Sequence, residues 1–402
     1  MRIGFLSTYP PIECGIATYT AALNDELTAE RIETFVVSPV GAQGRNVFPV
    51  FPPGSAAFAP DVFAVSIRMT PDVMHIQHEY GLYGPQKGIE AIDLLLRYRL
   101  SGLPVVTTLH TVYSQLSAEE RLLLKYIVQE SAAVIVHEEF QKEALCREFG
   151  GQQKIHVIEH GIREVEPIAD AKEKLGLAGH KVILLSGYFR PSKGFHKIID
   201  LFPEIAKQDP DVALVVAGKA RNIEFDDYRK ELFARLNQSP YADRIHVLYG
   251  QFPQYTFDTI LSAADVVVLP YEKGAQSGIL SHCLAHLRPV VVSDLPAFRN
   301  LIERSGGGLI CSDDSEYPAL ILKLLNDPEL CRTIQEKIRN YVRRQASWNR
   351  IAKVHMELYR SVIPAPTPKA RYIYLPEPVN RDQETGNRSD LQHDEEPSNE
   401  AA

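Results

Sequence analysis

Cysteine is scarce and scattered: Cys14, Cys146, Cys283, Cys311 and Cys331 form no CxxC pair and no His-spaced cluster in 402 residues. Neither a disulfide framework nor a zinc ribbon can be built from them, and they read as reduced core thiols of a cytosolic chain. No run of about 18 apolar residues occurs, so no membrane-spanning helix is expected. The N-terminus, MRIGFLSTYPP, enters a strand-like run without the basic region, apolar segment and cleavage site of a secretory leader. Several catalytic signatures are missing too: there is no lysine-ended phosphate loop, no G-x-S-x-G elbow and no HExxH or other metal-spaced cluster. An excess of basic charge is also absent. Of the formal −8, residues 371–402 carry −5 through eight acidic and three basic side chains, which leaves the body at −3. Nucleic-acid binding has no electrostatic footprint, whereas a local cationic pocket stays open as an expectation.

What is present describes an ordinary folded protein, with 45% hydrophobic, 23% charged and 9% aromatic residues. The length points to two domains. Short β-rich runs alternate with helical stretches: RIGFLST, TFVVSPV, DVMHIQHEY, PVVTTLH, AVIVHEEF and KIHVIEHG come first. The rhythm then restarts at KVILLSGYF and continues through VALVVAGKA, RIHVLYG, DVVVLPY, PVVVSD and GLICSDD. Such alternation predicts two doubly wound α/β domains with parallel sheets. The expected bounds are 1–165 for the first domain and 166–346 for the second, joined by the polar Gly- and Pro-containing stretch 161–180. The proline-rich, acidic residues 364–402 are expected to be disordered.

Ligands of open α/β sheets lie beyond the carboxyl ends of the strands, so chemistry is sought there. LLSGYFRPSKGFHKIIDLF places Arg190 and Lys193 in a short loop between a strand and a helix. Two cations at a helix N-terminus suit a diphosphate, and the competing reading is a pair of solvated loop residues. In YEKGAQSGILSHCLAHLRPVV, Gly274 and Gly278 precede a helix of about ten residues, so a ligand could come close to its backbone. Gln276 and Ser277 could exchange hydrogen bonds with sugar hydroxyls, unless the loop is a plain turn. In the first domain, Gly15 turns a strand into a helix without the G-x-G-x-x-G spacing of a nicotinamide or flavin site. His110 and the HEYG run (His78, Glu79, Tyr80, Gly81) end two strands at one rim. A lone histidine there often serves the core, but two together favour a site.

The arrangement resembles the retaining glycosyltransferases of family 4, whose GT-B fold pairs two Rossmann-like domains across a cleft. The resemblance covers about residues 1–363 and rests on YPPxxCGIATYT, HEYG, TTLHT, G-x-x-R-P-x-K-G (Gly187 to Gly194), ADVVVLPY and SWNRIAKVHMELY. It implies that Arg190 and Lys193 hold the donor diphosphate and stabilise its leaving charge, and that His110 lies close to the transferred sugar. By the same resemblance Gly15 belongs to a loop over the phosphates, while Gly187, Gly278 and Ile279 join the donor pocket. His78, Glu79 and Tyr80 are acceptor-side candidates. The last helix, 347–363, would cross back to the first domain. No cofactor or metal is implied, the co-substrate being a sugar nucleotide of the GDP-mannose or UDP-glucose type. The family's paired glutamates are missing, since their positions are Gly274 and His282, and Leu287 and Arg288 replace the usual small turn before PVV. The loop instead resembles a Q-S-G branch in which Gln276 and Ser277 stand near the sugar and His282 near the ribose. Expected partners are therefore a sugar nucleotide and a saccharide or lipid-linked acceptor, with no nucleic acid. The setting would be cytoplasmic, with peripheral contact at the inner face of a membrane through the leucine-rich IEAIDLLLRYRL and SAEERLLLKYIV stretches. The alternatives left open are a non-catalytic GT-B module that binds a glycan or partner, and another GT-B enzyme such as a sugar-nucleotide epimerase.

Overall fold

The computed structural model describes residues 1–52, 54–84, 86–220, 225–273 and 278–364. The expected acidic tail, apart from Pro364, lies outside the described residues. Seven strands of the first half are β1 (Arg2–Leu6), β2 (Glu33–Pro39), β3 (Val47–Phe51), β4 (Val73–His78), β5 (Val105–Leu109), β6 (Ala133–Val136) and β7 (Ile155–Val157). Six more follow: β8 (Lys181–Ser186), β9 (Val212–Gly218), β10 (Ile245–Tyr249), β11 (Val266–Leu269), β12 (Val290–Ser293) and β13 (Gly308–Cys311). They form two wholly parallel sheets, ordered β3-β2-β1-β4-β5-β6-β7 and β10-β9-β8-β11-β12-β13. Helices cover both faces, which is why central strands such as VMHIQH and VALVVAG are buried along their whole length instead of alternating.

Each sheet reverses its strand order once, between β1 and β4 and between β8 and β11. Adjacent loops diverge at such a switch point and leave a crevice. All the loops singled out in the second half, and several of those in the first, leave these four strands.

The chain passes between the sheets twice at one place. Ile162 bridges to Ser347, and its amide donates to the Ala346 carbonyl at 2.7 Å. Trp348 lies so close to Gly161 that a Cβ there would stand 2.2 Å from its ring, so glycine is required. The last helix, Trp348–Val362, then packs on the first-domain helix Gly15–Ala29 in a core shared with Tyr19, Leu23 and Ile3. Both sheets and this crossing helix belong to one compact unit, Met1–Ile363.

Candidate active site

The loop between β8 and the helix Phe195–Gln208 is held by glycines at its ends. Gly187 has φ +136°, and Gly194 has φ +63°, where a Cβ would sit 2.0 Å from the Pro270 carbonyl oxygen. The Glu272 amide donates to the Ser192 carbonyl at 3.0 Å, tying this loop to the one after β11. Gly194 provides no side-chain cap, so the first amides of the helix remain available to an anion.

Lys193 is buried beneath this loop, 9% exposed, with Nζ 3.5 Å from the centre of the Tyr271 ring. Burial, then the Arg190 charge, pushes its ammonium down to about 7. The ring face opposes that shift by favouring the cation. Arg190 keeps a buried Nε without a hydrogen-bond partner among the described residues. Two basic side chains thus lie close enough for their charges to interact at the amide end of a helix, and a diphosphate would satisfy both.

Across the switch point the helix is Gly278–Ala285, eight residues long. Ile279 lies 3.9 Å from where a Cβ of Gly187 would be, and Gly278 has open space beside it. Gln276 and Ser277, expected to meet the donor sugar, lie outside the described residues, as does Gly274. His282 stands edge-on to Phe257 at 5.1 Å. Burial, followed by the Arg163 and His160 charges, lowers it to about 4, so it is a neutral group on the side of the interdomain connector.

In the first domain Gly15 opens its helix with nothing within 4 Å of an added Cβ, which leaves room beside the helix end. His110, just past β5, is fixed from behind. Its Nε2 donates to Gln77 Oε1 at 2.8 Å, and behind Gln77 the His75 ring meets the Gln77 amide at 3.2 Å and Thr108 Oγ1 at 2.7 Å through Nε2 and Tyr359 Oη at 2.6 Å through Nδ1. His137 contacts Nδ1 of His110 at 3.4 Å while donating from its own Nδ1 to the Ile158 carbonyl at 2.9 Å. Burial lowers His110 well below the usual histidine range, then His137 and His160 lower it further, so it hydrogen-bonds as a neutral ring. Sequence reasoning missed Gln77, His137 and Tyr359, because the chain brings them to His110 only through neighbouring strands and the crossing helix.

His78 is buried, pushed down to about 4 by desolvation, and stands edge-on to Tyr80 at 5.8 Å. Glu79 and Tyr80 lead away from β4 at the rim. Burial raises the Glu79 carboxyl, although the Thr111 hydroxyl and the Tyr80 amide donate to it. Tyr113, also missed in the sequence, lies parallel to Tyr80, and the charge of Arg190 in the second domain reaches its hydroxyl. Elsewhere Arg304 pairs with Glu138 at 3.1 Å and Glu159 at 3.4 Å, joining the second domain to the first.

Two facing parallel-sheet domains, with a cationic loop at one switch point and polar rims at the other, define a GT-B glycosyltransferase. Residues 14–164 match the family described as Glycosyltransferase Family 4, and residues 168–341 match Glycosyl transferases group 1. The chain belongs to these glycosyltransferases and is an enzyme of the hexosyltransferase class. Phosphatidyl-myo-inositol mannosyltransferase of Mycolicibacterium smegmatis is 25% identical over 390 residues, 90% of this chain and 94% of that protein. GDP-mannose:glycolipid 4-beta-D-mannosyltransferase of Xanthomonas campestris is also 25% identical, over 72% of this chain and 79% of its own length. Among solved structures, Anabaena HepE in complex with UDP-glucose superposes with TM-score 0.70 at 18% identity, over 90% of this chain and all of that one. A glycosyltransferase of Rickettsia africae superposes with TM-score 0.74 at 14% identity, over 91% of this chain and 99% of its own.

Proposed function

We propose that the enzyme moves a hexose from a donor of the GDP-mannose or UDP-glucose type to a saccharide or lipid-linked acceptor, with retention at the anomeric carbon. The observation that carries this reading is Lys193, buried beside Arg190 at an uncapped helix N-terminus. The donor diphosphate binds there. As the anomeric C–O bond breaks, its electron pair leaves on the phosphate oxygen, and Arg190, Lys193 and the helix amides stabilise that charge. The acceptor hydroxyl attacks from the same face, and its proton passes to the departing phosphate oxygen. Neutral His110 hydrogen-bonds the transferred sugar, and Gln276 and Ser277 do so from the loop before Gly278. His282 lies on the ribose side. These cations and amides do the work that a metal performs elsewhere, so no cofactor is needed.

The two relatives are named for phosphatidyl-myo-inositol and for a glycolipid, which supports a lipid-carried acceptor. On the two leucine-rich helices, Leu94, Leu95, Leu123 and Leu124 face the core, while Leu96, Leu100, Leu122 and Tyr126 are exposed. No helix among the described residues is long and apolar enough to cross a membrane. Contact with a lipid surface is therefore proposed to be peripheral, through those exposed side chains.

A thermal-shift series with GDP, UDP, GDP-mannose and UDP-glucose should single out one nucleotide, because a ligand at about 100 times its Kd stabilises by about 2.7 kcal/mol. With that donor, Arg190→Ala should slow transfer roughly 100-fold. Anomeric couplings of the product should match those of the donor. Near-parent turnover in Arg190→Ala would sink the diphosphate assignment, and an inverted product would sink retention.

A further inference from the structure

Tyr113 projects from the loop after β5 with 46% of its surface exposed. Its ring lies within 10° of parallel to Tyr80, with centroids 6.5 Å apart. Tyr80 is itself held edge-on by His78 and has the Lys87 ammonium 5.7 Å from its ring centre, so Tyr113 lies offset-parallel to a fixed ring while nearly half of its own surface stays open. Burial raises the Tyr113 hydroxyl first, the Glu79 and Glu120 carboxylates raise it further, and the Lys87 and Arg190 charges act weakly in the opposite direction. Glu79 is in turn oriented by Thr111 and the Tyr80 amide.

An open aromatic face beside an oriented carboxylate has the two features that bind a pyranose. The ring's C–H face packs on the aromatic surface, while its hydroxyls donate to the carboxylate. The Arg190 charge that reaches Tyr113 belongs to the proposed donor loop, so a sugar lying on Tyr113 would sit near the departing diphosphate.

We propose that Tyr113, backed by Tyr80, is the platform on which the acceptor's sugar ring lies, with Glu79 accepting hydrogen bonds from its hydroxyls. This rests on the reading that Arg190 and Lys193 hold the donor diphosphate.

Saturation-transfer NMR on the full chain can test the two apart. The probes are methyl α-D-mannopyranoside and methyl β-D-glucopyranoside, each in the presence of GDP and UDP. One glycoside should receive saturation on its ring protons. Tyr113→Ala should lower that signal at least 5-fold and leave the nucleotide signal within 2-fold, while Tyr113→Trp keeps both. Glu79→Gln should weaken the sugar signal as well, which provides a second variant should Tyr113→Ala fail to fold. A sugar signal unchanged in Tyr113→Ala, or nucleotide saturation in the parent without any glycoside signal, would overturn the platform. Absence of nucleotide saturation in the parent would instead overturn the donor reading beneath it.

Discussion

Lys193 sits where a lysine is unfavourable until an anion arrives. Burial and Arg190 lower its pKa from the usual 10.5 to about 7, so the folded protein gives up a proton there that the unfolded chain keeps. Because the folded pKa lies below the unfolded one, the penalty is complete below about pH 7 and is relieved as pH rises toward 10.5. Lys193→Met should therefore raise the melting temperature of the ligand-free enzyme, most at pH 6 and little at pH 10, while reducing transfer about 100-fold or more. Differential scanning fluorimetry across pH, with turnover measured alongside, checks both parts. Equal melting curves at pH 6 would show that the lysine is not strained. The residue itself was legible in R-P-x-K-G, but its strain was not, because the burial that causes it comes from segments distant in the chain, among them the stretch after β11 that carries Tyr271.

At the scale of elements, the strand-ending loops depend on close backbone contact. Gly194 combines φ +63° with a Cβ position 2.0 Å from the Pro270 oxygen, whereas Gly15 has nothing within 4 Å. Gly194→Ala should cost about 1–3 kcal/mol in urea unfolding and raise the donor KM, since Lys193 is the preceding residue. Gly15→Ala should stay within about 0.5 kcal/mol of the parent. If Gly194→Ala is as stable as the parent, the two loops are not packed as described. The strand runs named from sequence all form strands; the central ones are short apolar runs that both faces of a parallel sheet bury, while β10, at the edge, stays partly exposed. The strand that escaped notice is β3, VFPVF. Pro49 interrupts its pattern and is tolerated because β3 is an edge strand of its sheet.

For the whole molecule, the contact between domains carries a titratable group. Glu138, from the first domain, is pushed up to about 7, chiefly by burial, although Arg304 pulls it down. Its folded pKa lies above the usual 4.5, so the folded protein holds the extra proton and this site loses stability as pH rises from 4.5 to about 7. Glu138→Gln should therefore stabilise the protein more at pH 8 than at pH 5, with Arg304 still paired to Glu159 at 3.4 Å. Melting temperatures at the two pH values measure this. A variant that gains equally at both would show that Glu138 does not titrate in this range.

Local pattern determined much of this protein: the strand–helix alternation, the glycine-bounded loop with its two cations and the histidine ending β5 are all written in short stretches. Burial period and turn chemistry are properties of neighbouring residues, so they can be read along the chain. The state of those residues was decided only when distant segments met. The chain ends His110's hydrogen-bond series at Tyr359, on a helix that reaches it by crossing back from the second domain. It also buries Lys193 against Tyr271. Desolvation and charge act through space, and no spacing along the chain reports which side chains a fold will place within reach.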